Sequence, residues 1–381
     1  MTVDRNQGTN RGDFTRRNFL KTVSAAAVGG TVGSWFGSAS AGPLTVNGLP
    51  AAVLGRTGLK VTKISFGGVL ATEPPLLLRV IDQGINFIHT SPGYQNGRSI
   101  RTFGEVLQKS SLRDKVVLAL KATPDELDNC LRQLKTDYVD ILVPPLTSLR
   151  AINNPALPES FQKVKQAGKA GFLGWAGHSN TTEIFNQGRE LGYFDVTLMS
   201  YANISDPSFL AAAQAATEAG IGIFTMKGLP KRNATGATPT EAATFSSLCS
   251  SMVNRQHAHS VLASMGSFQS VDFYRGILET KLTHYNRVLE ERYLADQVGN
   301  YCAMCGTCEG TCPEAADVPR ILRYRMYHID YGLAEYAHTR YARLGNRPVA
   351  LSEKMLEVCE GVCPRKLPIR RMVAEARSLL G

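Results

Sequence analysis

The chain has 381 residues, of which 43% are hydrophobic and 19% charged, and it carries a formal net charge of +10. That is ample material for a large core plus an appended module. The positive excess does not read as nucleic-acid binding, because no basic helix interleaves with base-reading side chains. Much of the excess falls at Arg320–Arg347 and Arg365–Arg371. A solvated basic face is the plain reading there, with a surface for an acidic redox partner as the alternative.

At the start of the chain, Thr15-Arg16-Arg17-Asn18-Phe19-Leu20-Lys21 matches the twin-arginine export signal. A Gly- and Ala-rich run follows from Thr22 towards Phe36, and then Ala39-Ser40-Ala41, a small-x-small cleavage pattern. The run is shorter and less apolar than the roughly 20 strongly apolar residues a membrane span needs. The expectation is a cleaved signal over residues 1–41, no transmembrane span in the mature chain, and a periplasmic or otherwise extracytoplasmic destination. Removing Arg5, Arg11, Arg16, Arg17 and Lys21 along with Asp4 and Asp13 leaves a mature chain of +7. Twin-arginine export carries proteins already folded, which suits a cofactor assembled in the cytoplasm.

From Val53 to Lys281, short apolar runs alternate with amphipathic stretches. The predicted strands are Val61–Phe66, Asn86–Thr90, Lys115–Lys121, Tyr138–Val143, Phe172–Gly177, Phe194–Tyr201, Ile221–Met226 and His259–Ser264. Helical patterns fall between them, such as Pro124–Leu134 with Leu127, Leu131 and Leu134 on one face. Strand–helix pairs repeated over this length predict a (β/α)8 TIM barrel across residues 42–285, with functional groups at the C-terminal ends of its strands.

Several ordered motifs then resemble the aldo/keto reductase family. Leu54-Gly55-Arg56-Thr57-Gly58-Leu59-Lys60-Val61 with Phe66-Gly67-Gly68 looks like its opening, and Gly84-Ile85-Asn86-Phe87-Ile88-His89-Thr90-Ser91-Pro92-Gly93-Tyr94 like its second strand. Gly104-Glu105-Val106-Leu107, Tyr138-Val139-Asp140-Ile141-Leu142, Gly177-His178-Ser179-Asn180 and Ile223-Phe224-Thr225-Met226-Lys227 match later landmarks in order. The family reduces carbonyls with an Asp, Tyr, Lys and His tetrad and a nicotinamide cofactor. The resemblance puts Tyr94 at the proton-donor position and Lys121 at the Lys position, but His89 at the Asp position and Pro145 at the His position. Lys121 therefore lacks the family's carboxylate, and a tyrosine near its ordinary pKa of about 10 is a weak acid at neutral pH. His89 either substitutes in part or fills a decayed site.

The same resemblance implies NADP(H) as the candidate cofactor. It places Ser179 and Asn180 on the nicotinamide amide, Tyr201 stacked on the ring, and Met265-Gly266-Ser267 where a phosphate meets a helix N-terminus. A strand-end turn with a buried tyrosine is the alternative for the first three. Lys227 reads as an anion contact or an ordinary surface lysine, and His178 as a strand-end side chain.

Near the C-terminus, Cys302-x2-Cys305-x2-Cys308-x3-Cys312-Pro313 has the spacing of an iron–sulfur cluster loop. A structural zinc site would need two Cys-x2-Cys hooks separated by a longer loop, and disulfide knots belong to small domains without a core. Cys359-x3-Cys363-Pro364 echoes the run, and both stretches continue into basic helical segments, through Arg320, Arg323 and Arg325 and through Arg370 and Arg371. This resembles the bacterial two-cluster ferredoxin domain and implies a ferredoxin-like module over residues 286–381. By that resemblance Cys302, Cys305, Cys308 and Cys363 hold one 4Fe-4S cluster. Cys312 and Cys359 then share the vacant second position, where an oxidising compartment would close them into a disulfide. The alternative is that Cys312 completes the cluster and Cys363 is spare.

Two functions follow. One is an exported oxidoreductase that moves electrons between a barrel-bound small-molecule substrate or nicotinamide and a protein redox partner. The other is a catalytically decayed barrel that serves as a docking platform in an electron-transfer assembly.

Overall fold

The computed structural model describes residues 44–177, 181–200, 207–226, 258–280, 283–286, 288, 302, 304–312 and 317–381. The expected export signal lies outside them. Three short strands come first: β1 (Thr45–Val46), β2 (Leu49–Val53) and β3 (Lys60–Thr62), paired antiparallel in the order β1-β2-β3. Eight parallel strands then close a barrel: β4 (Ile64–Gly67), β5 (Phe87–Thr90), β6 (Val117–Leu120), β7 (Val139–Leu142), β8 (Ala170–Gly177), β9 (Val196–Ser200), β10 (Gly222–Met226) and β11 (Ser260–Ala263). Closure is made where β11 pairs with β4, Val261 beside Ile64 and Ala263 beside Phe66.

All eight predicted strands have a counterpart, with one correction. The run Val61–Phe66 is not one strand, because Val61 pairs antiparallel with Ala52 in β3 whereas Ile64 pairs with Val261 in the barrel. The chain breaks between them, where the Thr62 hydroxyl donates to the Ile64 carbonyl at 2.7 Å. The antiparallel sheet was not anticipated, since its strands are too short to show a period. It closes the barrel floor: Leu54, Leu59 and Val61 join Phe87, Ile141, Phe172, Val196 and Phe224 in the lumen. Arg56 ties the same segment to the N-terminal ends of neighbouring strands, donating to the carbonyls of Gly192 and Phe194 and to Asp195.

Barrel strands are buried on both faces, so their sequences read as apolar runs rather than as alternation. In β6, Val117 and Ala119 point to the lumen while Leu118 and Leu120 pack under the helices. The helical layer includes α1 (Pro74–Asp82), α2 (Arg98–Leu107), α3 (Leu127–Leu134), α4 (Ala156–Gln166), α5 (Thr181–Leu191), α6 (Pro207–Glu218) and α7 (Phe268–Ile277). α3 is entered through a capping box in which Thr123 and Glu126 exchange side-chain and backbone bonds. It buries Leu127, Cys130, Leu131 and Leu134. Asp140 is structural: it accepts from Arg113 at 2.9 Å and from the Leu118 amide at 2.8 Å, both side chains almost fully buried.

Beyond the barrel, α8 (Thr307–Thr311), α9 (Val318–Tyr331), α10 (Ala334–Ala342), α11 (Glu353–Gly361) and α12 (Ile369–Leu380) form a helical module. It has its own core of Val318, Ile321, Leu322, Leu356, Val373 and Ala376 among others. α9 ends at Gly332 in the left-handed region (φ 64°), which turns the chain back into α10. Among the described residues no helix is long and apolar enough to cross a membrane.

A Cβ built on Gly104 would lie 2.0 Å from the Gln133 carbonyl oxygen, so α2 and α3 meet backbone to backbone at this point. Gly104→Ala gains at most about 1 kcal/mol of helix propensity, against an overpacking cost of about 3 kcal/mol with two backbones forced apart. The variant should therefore unfold at a lower denaturant midpoint than the parent, and an unchanged or raised midpoint would contradict this packing.

Candidate functional site

His89 lies near the C-terminal end of β5 and points into the top of the lumen, 1% exposed, its ring 5.8 Å from Tyr94 and 6.2 Å from Phe224. Its Nε2 has no hydrogen-bond partner. Burial, with the Lys121 charge as the second cause, pushes its pKa down to about 3, so it is neutral at any physiological pH. It cannot supply the negative charge of the carboxylate it replaces. Lys121 follows β6 directly, its amide bonded to the Thr90 carbonyl at 2.9 Å. Burial, then the charges of Arg323 and Arg340, bring the lysine down to about 8.

Tyr94 sits in a tight turn after β5. Gln95 and Asn96 both have left-handed backbone (φ 48° and 51°), a strained conformation for residues with a side chain, and the Gln95 amide holds the Val69 carbonyl at 3.1 Å. Burial and the neighbouring Tyr327, Tyr336 and Tyr331 hold the Tyr94 hydroxyl well above its ordinary value, with Arg323 pulling the other way. It stays protonated and can donate. Pro145, at the family's His position, makes a parallel bridge to Ala176, with no side-chain group to offer a carbonyl.

The side chains around Tyr94 and Lys121 come from the C-terminal module. Tyr336 Oη and Arg340 Nη2 both donate to the Gly93 carbonyl, at 3.0 and 2.7 Å. A Cβ on residue 93 would lie 2.8 Å from Arg340 Nη2, so a larger residue here would push that guanidinium aside. Tyr327 packs on Tyr336 with ring centres 5.5 Å apart and on Tyr331 at 5.8 Å. The basic stretch is thus not simply a solvated face, because Arg323 and Arg340 turn toward the barrel mouth. Sequence reading missed this lid. Its signal was the spacing of Arg323, Tyr327 and Tyr331, and of Tyr336 and Arg340, four residues apart on one helix face.

Of the expected cofactor contacts, Ser179, Asn180, Tyr201 and Lys227 lie outside the described residues, as does the strand-end His178. Gly266 and Ser267 open α7, where the Ser267 hydroxyl accepts from the Ser270 amide at 3.2 Å and so caps its own helix.

The cysteines are brought together elsewhere in the module. Cys302, Cys305, Cys308 and Cys363 line one cavity, walled by Met304, Gly306, Val318, Leu322, Arg365 and Leu367 among others. Met304 and Gly306 have positive φ (56° and 81°), curling the loop so that the Met304 amide points at Cys302 Sγ, 3.3 Å away. Cys305 Sγ lies 3.3 Å from Thr307 Oγ1. Burial first, then the nearby thiols Cys302, Cys359 and Cys305, drive the Cys308 thiol strongly upward. Cys312 does not line the cavity. Cys312 and Cys359 are not joined in a disulfide; burial first, then the nearby Cys312 thiol, raises the buried Cys359 thiol, while a hydrogen bond with Cys308 pulls it down. Among the described residues, no three His, Cys, Asp or Glu side chains converge to hold a single metal ion.

No protein-family model matches the chain. Over 113 residues it is 28% identical to aldo-keto reductase YhdN of Bacillus subtilis (strain 168), a match covering 22% of this chain and 34% of that protein. Over 151 residues it is 31% identical to L-galactose dehydrogenase of Arabidopsis thaliana, covering 32% of this chain and 47% of that protein. The chain thus matches less than half the length of these curated relatives. An aldo-keto reductase from Klebsiella pneumoniae solved in complex with NADPH superposes with a TM-score of 0.53 at 17% identity, over 64% of this chain and 94% of that one. The holo form of an aldo-keto reductase from Bacillus halodurans gives 0.50 at 17% identity, over 65% and 96%. The relatives' names support an aldo/keto reductase-type oxidoreductase, and the solved structures share its barrel fold.

Lys121 tests the electrostatics of the mouth. Its folded value of about 8 lies below an unfolded value of about 10.4. Between those pH values the unfolded chain binds more protons, so stability rises with pH. Lys121→Met should raise the melting temperature at pH 7 in low-salt buffer by roughly 2–6 °C. The advantage should shrink as pH rises from 8 toward 10, and a variant less stable than the parent at pH 7 would show that Lys121 is not desolvated.

Proposed function

We propose that this protein is an exported aldo/keto reductase-type oxidoreductase whose C-terminal module is ferredoxin-like and carries one 4Fe-4S cluster. Cys302, Cys305, Cys308 and Cys363 would hold the cluster, and the supporting observation is that these four thiols line a single cavity. The donor set suits it: four cysteines around apolar walls, a backbone amide aimed at Cys302 Sγ, and the Arg365 side chain to offset negative charge. Four thiolates are the donor set that a four-iron cubane takes. When bound, the cluster supplies one-electron transfer at a potential set by its hydrogen bonds and exposure.

The chain's own residues carry the rest. Leu322 lines the thiol cavity and the next residue, Arg323, faces Tyr94 and Lys121, so one helix joins the two sites. In the mouth, Tyr94 is the protonated hydroxyl able to donate to a substrate oxygen, and Lys121, which acts on His89, carries positive charge below about pH 8. The lid helices exclude water. NADP(H) is the candidate dinucleotide, as in the NADPH complex of the Klebsiella pneumoniae protein, with a phosphate at the α7 N-terminus beside Gly266 and Ser267. A protein redox partner would exchange electrons with the module, and the twin-arginine motif directs the assembly out of the cytoplasm.

A second reading, a barrel that only docks the module, is favoured by one observation: nothing among the described residues replaces the carboxylate and histidine of the family's tetrad, since His89 is neutral and Pro145 inert.

Anaerobically purified protein should contain about four irons per chain, the content of one cubane, with a visible absorption that dithionite bleaches. Cys302→Ser, Cys305→Ser, Cys308→Ser and Cys363→Ser should each lose most of both, while Cys312→Ser should keep them. Iron-free protein, or iron unaffected by Cys363→Ser, would overturn the assignment. NADPH oxidation with a model aldehyde that Tyr94→Phe abolishes would remove the docking-only reading.

A further inference from the structure

Most arginines of the module have a recorded carboxylate or carbonyl partner away from the barrel. Arg320 and Arg347 pair with Asp317, Arg325 and Arg371 with Glu375, and Arg370 with Glu360, while Arg377 donates to the carbonyls of Pro348 and Leu351. Arg323 and Arg340 differ. Neither makes an ion pair with a described residue, and the Nε of each is buried without a hydrogen-bond partner. Both turn toward the barrel mouth, where they meet a third cation, Lys121. Arg323 acts on the Glu309 carboxyl, as Arg320 does, but forms no ion pair with it.

Three cations gathered at a half-buried interface repel one another and have lost much of their hydration, an arrangement that persists when a counter-charge joins them. Among the described residues, the groups that reach into the mouth beside them are polar and uncharged. Tyr94, Tyr327, Tyr331 and Tyr336 present hydroxyls, and His89, 1% exposed, keeps an unpartnered Nε2 at the top of the lumen. Guanidinium groups present a planar fork of donors that matches a carboxylate or phosphate. Arg340 already spends Nη2 on the Gly93 carbonyl, which fixes its plane and leaves Nε for a ligand.

We propose that the mouth, closed between the barrel and helices α9 and α10, binds the oxyanion group of a small organic molecule through Arg323, Arg340 and Lys121. The inference deepens the oxidoreductase reading of the same mouth, since it gives the substrate a carboxylate or a phosphate next to the group that reaches Tyr94. It also requires the lid: two of the three cations belong to the module, so a barrel alone would lack the site.

The test uses the full chain with its iron loaded. Melting temperature is followed against sodium oxalate and, separately, inorganic phosphate, with ionic strength held constant by sodium chloride. A saturable rise with oxalate, phosphate or both is expected, the stronger one naming the source of the oxyanion. Arg323→Gln, which removes no recorded hydrogen bond, should weaken binding at least tenfold, and Arg323→Lys should recover part of it. Arg340→Gln should act likewise, with circular dichroism checking that loss of the Gly93 bond has not unfolded the lid. No saturable rise with either anion, or equal rises in the parent and Arg323→Gln, would overturn the site. Iron content and visible absorption are measured on the same samples. Loss of iron with anion binding intact would sink the electron-transfer reading and leave the anion site standing.

Discussion

The carbonyl of Gly93 has two lone pairs, and the C-terminal module takes both, one through the Tyr336 hydroxyl and one through the Arg340 guanidinium. A charge-assisted bond and a neutral bond to one acceptor, shielded from water, hold a helical hairpin at a fixed height above the barrel. The electrostatics of the mouth depend on this contact. Because the hairpin sits there, the Tyr94 hydroxyl is surrounded by three further tyrosines, and Lys121 loses solvent while facing two arginines. The left-handed backbone at Gln95 and Asn96 is held from both sides, by the module above and by the Val69 carbonyl below.

The two halves keep separate cores, so the module is not an extension of the barrel's helical layer. What joins them is polar and aromatic, a composition suited to an interface that must also hold a charged ligand. α9 is the connecting part. Successive helical residues point about 100° apart, so Leu322 can line the thiol cavity while Arg323 faces the mouth, with no loop between them. Under the proposed function this makes one helix both the wall of the electron carrier and the roof of the substrate site.

The pattern of departures from the aldo/keto reductase tetrad takes on a physical sense here. The family's Lys is paired with a carboxylate; in this chain the lysine is placed beside more cations and next to a neutral, desolvated histidine. An anion brought by the ligand would do for Lys121 what the missing side chain does in the family. The proline at 145 is used structurally, in a bridge to Ala176 that continues the β7–β8 pairing beyond the strand end.

Much of the barrel was legible in the sequence because its strands are short, fully buried and separated by amphipathic helices, a pattern set locally by burial on both faces. Tyr94, Lys121, His89 and Pro145 were located by ordered motifs, and the four thiols that line one cavity by the resemblance to a ferredoxin domain. Other features arise only in three dimensions. The strand break at Lys63 depends on which partners Val61 and Ile64 meet, which no local period encodes. The pKa values at the mouth depend on groups from Arg323 to Arg340, more than 200 positions from Lys121 in the chain. That Cys363 rather than Cys312 lines the cavity with the other three thiols is decided by how α11 packs between α8 and α12. Residue type and spacing point to the positions where chemistry can sit, whereas which side chains meet there, Arg323 and Arg340 among them, is settled in three dimensions, because charge and burial act through space and the chain's order does not record that distance.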